Sequence, residues 1–191
     1  MQSGLEQVND KISENSPAVS EKSTLWGWVK LILIIGAVYL VVNNITGLDR
    51  VSGNSMNPTL QNGDVLVLNK WSLLFKPPQY GDVVIVHEEE LGYSIVKRVI
   101  GVDGDRVRIT DGITYVNGTP LSELYTYGTS EDVNEVTVGD NELFVVGDNR
   151  NLGESLDSRD PGLGPVHISS VKAYVWFSLW PMHGIAKPLD L

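Results

Sequence analysis

The chain of 191 residues has no cysteine, which excludes a thiol nucleophile, a disulfide framework and cysteine-ligated zinc. Histidine is also scarce. His87, His167 and His183 leave few ways to build a histidine-based catalytic triad. Basic residues are outnumbered, with 14 Lys and Arg against 24 Asp and Glu. The formal net charge of −10 argues against a nucleic-acid partner, because phosphate binding needs a basic surface.

One apolar run is long enough for a membrane helix. It extends from Leu25 to Val42 and reads LWGWVKLILIIGAVYLVV. As a helix it spans roughly 27 Å, about the thickness of a hydrocarbon core. A cleaved secretory signal is the alternative, but residues 43–47 contain no A-x-A-like cleavage site, which favours an uncleaved anchor. Three lysines precede or enter the run and one arginine follows closely. This asymmetry favours a cytoplasmic N-terminus.

The chain divides into four parts by composition. Residues 1–23 are polar and predict a disordered cytoplasmic tail. Residues 24–44 are the predicted transmembrane anchor and residues 45–50 a short linker. From 51 to 191, short β-branched runs alternate with Gly-containing turns, which predicts a mainly β, antiparallel extracytoplasmic domain. The predicted strands are 65–68, 83–86, 95–102, 107–109, 113–116, 143–146 and 171–177.

Ser55 is the candidate nucleophile. It lies in the run Val51–Leu60, between Gly53 and Pro58, which suits a tight irregular loop. A nucleophilic serine needs a base. His87 opens an acidic stretch and the other two histidines lie in turn-like contexts, so a surface position suits all three better than a catalytic one.

Lys97 is the candidate base. A solvated lysine is charged at neutral pH, but burial lowers its pKa. Lys97 lies in a predicted strand in which Tyr93, Ile95, Lys97 and Val99 share one face, so its amine is the polar group on an otherwise apolar face. The same pattern fits an edge strand whose lysine discourages aggregation. Periodicity leaves both interpretations open.

Two other serine motifs fit less well. The run from Ser94 to Lys97 matches S-x-x-K of penicillin-binding enzymes, but a strand places the two residues on opposite faces and no K-T-G occurs. The run from Gly53 to Asn57 resembles the nucleophile elbow G-x-S-x-G, but its last position is Asn and no helix is predicted after it.

Four motifs, in order, resemble the boxes of the type I signal peptidases, membrane-bound serine proteases with a Ser/Lys dyad. The nucleophile box is Ser52–Thr59, and the others lie at 62–67, 96–105 and 146–159. Together they cover most of residues 51–180. The resemblance implies a Gram-positive-type enzyme with a single anchor and an antiparallel β catalytic domain of signal-peptidase type. It also implies secretory preproteins with small residues before the cut as substrates.

The resemblance also implies roles for individual residues. Ser55 is the nucleophile and Lys97 the general base, and Ser155 orients the lysine amine. Met56 and Val96, which neighbour the dyad in sequence, are candidates to line the shallow pockets for small substrate residues. No metal or cofactor is implied. The supporting charged residues are Asp157, Arg159, Asp148 and Arg98.

Three features depart from the family's pattern. Gly53 stands where some members have a serine that donates to the oxyanion, so that donor is missing or replaced. Asp103 replaces a proline before Gly-Asp. Residues 151–154 lengthen the last box by two. A loop absorbs this at small entropic cost, but it leaves Ser158 as an alternative to Ser155.

Residues 70–78 form an aromatic and apolar loop flanked by lysines. This loop either dips into the membrane interface or turns toward the core. The predicted function is removal of signal peptides at the outer face of the cell membrane through an acyl-enzyme. The predicted partners are secretory preproteins and the lipid bilayer, and not nucleic acid.

Two alternatives stay open. The first is a self-cleaving Ser/Lys repressor-type protease, which shares a similar β fold but usually carries a DNA-binding domain. The apolar run argues against it. The second is a catalytically degenerate, membrane-tethered β-domain binding module.

Overall fold

The computed structural model describes residues 21–89 and 92–186. The predicted tail lies outside this part except for its last three residues, which begin a helix. The chain separates into two compact units, Met1–Val42 and Asn43–Leu191.

Helix α1 extends over Glu21–Ile45 and contains the apolar run. The window Leu25–Val42 has a mean hydropathy of 2.2, and none of it is buried against protein. A helix that is apolar all round and lacks protein cover suits a lipid environment. The helix is long and apolar enough to cross a membrane.

The second unit is built from strands. In chain order they are β1 Thr46–Arg50, β2 Val65–Asn69, β3 Val83–Glu88, β4 Tyr93–Val102, β5 Arg106–Thr110, β6 Ile113–Val116, β7 Thr119–Pro120, β8 Val133–Thr137, β9 Glu142–Val146, β10 Val166–His167, β11 Val171–Trp180 and β12 His183–Gly184. Two short 3-10 helices, Trp71–Leu74 and Ile168–Ser170, accompany them.

The strands form two antiparallel sheets. The larger has the order β1-β2-β11-β3-β4-β9-β10, with β12 paired to β11, and the smaller has the order β7-β6-β5-β8. All seven strands predicted from the sequence are present, and the mainly β, antiparallel fold is confirmed. The unpredicted strands are short or polar, so the β-branched pattern that reveals a strand is weak in them.

Residues 46–50 differ from the sequence expectation of a linker. They form β1, which pairs with β2 from Thr46 opposite Asn69 to Arg50 opposite Val65. The run Thr-Gly-Leu-Asp-Arg has little strand propensity of its own, and its partner β2 supplies the hydrogen bonds. The sheet therefore begins before the predicted domain boundary at Val51.

The loop between β1 and β2 carries Ser55 and is fixed to the sheet by apolar side chains. Met56 and Leu60 are fully buried in a core cluster with residues of β2, β3 and β11. The Leu60 amide donates to the Met56 carbonyl over 2.9 Å, and the Val51 amide donates to the Asp64 carbonyl over 2.9 Å at the base of the loop. Gly53 has a φ of +104°, which glycine adopts without strain.

A separate core cluster joins the two sheets. Ile100 and Phe144 of the larger sheet pack with Val107 and Val116 of the smaller one. Gly101 allows this approach, because a Cβ there would overlap the Val107 side chain. The smaller sheet is thereby fixed to β4, which carries Lys97 and Arg98, and to β9, which leads into Asp148.

Candidate active site

Ser55 and Lys97 meet although 42 positions separate them in the chain. Lys97 Nζ lies 2.9 Å from Ser55 Oγ and donates to it, and the same amine donates to the Val96 carbonyl over 2.9 Å. The β1–β2 loop presents the serine, and strand β4 presents the lysine. The sequence-predicted pair is therefore in direct hydrogen-bond contact.

Lys97 is only 2% exposed. This burial rules out a solvated lysine that guards a sheet edge, because such a lysine must reach water. Burial is the main cause that lowers the Lys97 pKa from 10.5 to about 8. The Asp157 and Asp148 carboxylates oppose the shift, and the Arg159 guanidinium adds to it.

Ser155 lies beside the pair but its hydroxyl has another partner. It donates to Asp157 Oδ2 over 2.5 Å, and Asp157 also accepts the Gly147 amide at 3.0 Å. Among the described residues, no hydrogen bond joins Ser155 to Lys97. The serine therefore acts on the carboxylate whose charge raises the lysine pKa.

Arg159 completes this cluster. Its Nε and Nη2 donate to the two oxygens of Asp157 over 2.8 Å each. Burial alone would raise the pKa of Asp157, but the Arg159 guanidinium and the Ser155 hydroxyl outweigh it and the pKa is lowered. Asp157 is thus a buried, ionised group near the lysine.

Gly147 is the closest point between the serine loop and the Ser155 segment. A Cβ at this position would overlap both the Ser155 hydroxyl and the Ser55 carbonyl oxygen. The lack of a side chain therefore lets the two segments approach.

Arg98 and Asp148 form a fully buried bidentate pair, with Nε to Oδ1 at 2.8 Å and Nη2 to Oδ2 at 2.6 Å. The remaining guanidinium nitrogen donates to the carbonyls of Gly81 and Ala186. The Tyr125 ring centroid lies 4.1 Å from the guanidinium carbon. The predicted ion pair thus holds β4 to the segment just after β9, with four of the five guanidinium N–H donors hydrogen-bonded.

Two residues that sequence reasoning missed also shape the site. The Asn149 amide donates to the Ser55 carbonyl over 3.0 Å, and its side-chain Nδ2 donates to the Asn54 carbonyl over 3.2 Å. Arg150 pairs with Glu123 and donates from Nε to the Gly147 carbonyl over 2.9 Å. Both lie inside the last predicted box, which is the only sequence signal that pointed toward them.

The Ser55 and Lys97 side chains open into a cleft of about 520 Å³. Three apolar side chains also line this cleft: Met56, Val96 and Ile85. The strand segment Tyr93–Lys97 forms one wall and residues 49–52 form another.

The remaining candidates lie elsewhere. Ser158, the alternative to Ser155, is buried and its hydroxyl accepts the Val145 amide at 2.9 Å, so it fastens strand β9. His87 and His167 contact Ser94 and Ser169, and His183 pairs with Asp64. Within the described residues, no histidine contacts Ser55. No group of three or more His, Asp or Glu residues that could hold a metal occurs among those residues.

Comparisons with known proteins agree on one family. The profile described as "Signal peptidase, peptidase S26" matches residues 25–180. The chain is 35% identical over 148 residues to a probable signal peptidase I-1 of Synechocystis sp., covering 72% of this chain and 76% of that protein. It is 32% identical over 182 residues to a signal peptidase I of Bacillus licheniformis, covering 89% and 96%.

Among solved structures, the chain is similar to a signal peptidase I from Enterococcus faecalis V583. The sequence identity is 31% and the TM-score is 0.43. The match covers 52% of this chain and 97% of that one.

The buried Arg98–Asp148 pair provides a stability prediction. Replacing Asp148 by Asn leaves a guanidinium charge buried without its counter-charge, so the free energy of unfolding should fall by about 3–5 kcal/mol. Denaturant unfolding of the full chain in detergent, followed by circular dichroism, measures it. The matched control is Glu135→Gln in the pair with Arg106, whose side chains are 48% and 58% exposed, and its effect should stay below about 1 kcal/mol. Equal losses in the two variants would contradict the prediction.

Proposed function

The chain belongs to the signal peptidase family, peptidase S26, and we propose that Ser55 is the nucleophile and Lys97 the general base of its reaction. The family membership makes the chain a serine endopeptidase that removes signal peptides. The repressor-type protease and the non-catalytic binding module are therefore not retained. The observation that carries the dyad proposal is the 2.9 Å contact between a buried lysine amine and the serine hydroxyl.

The burial of Lys97 supplies the base. At pH 7 a lysine with a pKa of about 8 is neutral in roughly a tenth of molecules, against well under a thousandth at its ordinary pKa. The neutral amine keeps its hydrogen bond to the Val96 carbonyl, and its lone pair accepts the Ser55 proton. Ser155 is a positioning residue in this scheme, since it holds the Asp157 carboxylate that tunes the amine.

The reaction proceeds through an acyl-enzyme. Ser55 Oγ bonds to the scissile carbonyl carbon as its proton moves to Lys97, and the carbonyl electron pair moves onto the oxygen. The C–N bond then breaks and Lys97 protonates the leaving amine. Water, deprotonated by the same lysine, hydrolyses the ester and frees Ser55.

The Ser55 backbone N–H is the donor we assign to the oxyanion. It donates to no other group among the described residues, so it is available to the substrate. The hydrogen bond from Asn149 to the Asn54 carbonyl fixes the peptide unit that contains this N–H, and the one to the Ser55 carbonyl fixes the next peptide unit. A fixed N–H stabilises developing negative charge without reorganisation in the transition state. The Gly53 amide is occupied, since it donates to Asn62 Oδ1 over 3.0 Å.

The cleft receives the residues before the cut as an extended chain. Strand β4 pairs with β3 from Tyr93 to Arg98, and with β9 only from Arg98 onward. Within the described residues, the other backbone edge of Tyr93–Lys97 is unpaired. A substrate strand can add to such an edge by main-chain hydrogen bonds. Met56 and Val96 then face its side chains and leave room for small ones.

Helix α1 anchors the enzyme in the membrane in this proposal. Its length and its uncovered apolar surface support a single span, and the lysines on its N-terminal side support a cytoplasmic N-terminus. Protease treatment of intact cells should then degrade the catalytic unit. Full protection would contradict this orientation.

A second apolar surface lies on the catalytic unit itself. Within the 70–78 loop, Trp71, Leu74 and Phe75 are exposed, whereas Leu73 packs on the core and Pro78 is buried. The 3-10 helix of this loop packs on β11, whose Trp176 is also exposed. We assign this surface to the membrane interface, because aromatic side chains of this kind favour that layer. Further exposed apolar residues lie in β1, at the end of β11 and in the turn after it: Leu48, Leu179, Trp180 and Met182.

The dyad is tested by two substitutions. Ser55→Ala removes the nucleophile and Lys97→Met removes the base at similar length, so each should lower preprotein cleavage by roughly a thousand-fold or more. Cleavage is followed by the N-terminal sequence of the mature product. Lys172→Met, at an exposed lysine, is the control and should cleave normally. Substantial cleavage by folded Ser55→Ala or Lys97→Met protein would overturn the assignment.

The pH profile tests the state of Lys97. The amine is protonated and inactive as a base below its pKa, so kcat/KM should rise with pH through about 8 and level off above it. Circular dichroism across the same range should show an unchanged fold. A rising limb centred near 6.5 would point to a histidine base instead, and one near 10.5 to a solvated lysine.

The interfacial surface is tested without the anchor. In a chain of residues 43–191, Trp71→Ser with Phe75→Ser should weaken co-sedimentation with anionic lipid vesicles by about ten-fold, because two aromatic contacts with lipid are lost. Ile113→Ser with Leu124→Ser removes two exposed apolar side chains near the smaller sheet and is the control. Unchanged vesicle binding in the first variant would exclude this surface.

A further inference from the structure

A second cavity has a volume of about 290 Å³, and Ser155 and Arg159 are among its lining residues. The Arg159 charge also acts on Lys97. Gly147 separates the Ser155 hydroxyl from the Ser55 carbonyl with no space for a Cβ between them. The Ser155 segment, which lines this cavity, therefore packs against the serine loop, which lines the substrate cleft. The cavity lining also includes Glu131, Leu152 and Asp160.

Another cavity of about 510 Å³ lies on the other side of the serine loop, beside Asn54, Asn57 and Tyr127. None of the residues whose charges act on Lys97 lines it. The leaving amine must reach Lys97 to receive its proton, so the chain after the cut departs on the lysine's side. That side is the one occupied by Ser155 and Arg159.

We propose that the cavity beyond Ser155 receives the first residues after the cut, and that Leu152 and Glu131 select among them. This inference rests on the proposed function. It assigns a role to the lengthened segment 151–154, which the dyad chemistry leaves unused.

The segment is held in place by its neighbours. The Asn151 amide donates to Asn149 Oδ1 over 3.3 Å, and the Asn151 side chain fills the space where Gly128 would carry a Cβ. The segment therefore rests on the chain at Gly128 and is not free in solvent. Leu152 remains 74% exposed on the cavity wall, which leaves its side chain available to an apolar substrate residue.

The charge of the cavity favours neutral or basic residues. The guanidinium groups of Arg150 and Arg159 are already paired with Glu123 and Asp157. The carboxylates of Asp132 and Asp160 accept backbone amides, whereas Glu131 has no hydrogen-bond partner among the described residues. An acidic substrate residue that enters this cavity is therefore repelled by the Glu131 carboxylate, whose charge no hydrogen-bond donor among the described residues offsets.

Two preproteins that differ only in Gln or Glu at the second residue after the cut test the inference with the full chain in detergent. The unaltered enzyme should prefer Gln by about three-fold in kcat/KM, since two like charges at solvent-exposed separation repel weakly. Glu131→Gln should bring the ratio close to one, and Glu131→Lys should reverse it. High salt should shrink the preference. Glu154→Gln, an equal charge change outside the cavity wall, is the control.

Leu152→Ser provides a second, uncharged readout. For a preprotein with Leu at that position it should lower kcat/KM about five-fold through KM, with little effect when the residue is Ala. Leu124→Ser, at an exposed leucine outside the cavity, is its control. A loss seen with the Leu preprotein but not with the Ala preprotein therefore shows selection of the substrate side chain, whereas an equal loss with both shows a general loss of activity.

The inference is overturned if the enzyme cuts both preproteins but neither Glu131→Gln nor Leu152→Ser changes the ratios. A charge response to Gln61→Glu, in the cavity on the other side of the serine loop, would overturn it as well by placing the departing chain there. If the unaltered chain cuts no preprotein, the proposed function fails instead, and the inference with it.

Discussion

A lysine amine kept out of water beside a serine hydroxyl is the constraint on which the site depends. Burial lowers the Lys97 pKa, while Asp157 and Asp148 oppose the change, so the lysine pKa lies at about 8, within reach of neutral pH. Without the burial the Lys97 pKa would rise toward its ordinary value, and without the two carboxylates it would fall further. The burial of Met56 and Leu60 keeps the serine loop against the sheet and the amine dry.

Three buried arginine–carboxylate pairs hold the segments that build the site, and they fix geometry more than they add stability. Desolvating two charges costs about what their attraction returns, so such pairs chiefly specify position. Arg98–Asp148 joins β4 to the segment after β9, and Asp157, paired with Arg159, joins the Ser155 segment to Gly147. Arg150 pairs with Glu123 and also donates to Thr114 of β6, which joins the segment after β9 to the smaller sheet. Each guanidinium also binds backbone carbonyls or side-chain hydroxyls, which fixes the orientation of the segment that it holds.

The sequence predicts the parts of this arrangement that follow from local patterns. Seven strands appear where β-branched runs lie between turns, and an amine on the apolar face of one strand identifies Lys97. The predictable part ends where contacts depend on distant residues. Strand β1 forms because β2 offers a partner, and the role of Asn149 depends on its distance from Ser55, 94 positions earlier in the chain. Glu123 lies in an irregular segment with no pattern, and the partner chosen by the Ser155 hydroxyl depends on where Asp157 is held.

Within the described residues, Tyr93–Lys97 has one backbone edge without a strand partner, and this edge lines the cleft opposite residues 49–52. An open strand edge is a template for another strand. In the proposed mode of substrate binding, a lone extended chain meets this edge with its own backbone groups free, whereas a strand inside a folded sheet already has those groups paired. The proposal therefore implies that the enzyme acts on unfolded polypeptide and spares a mature domain that has already folded.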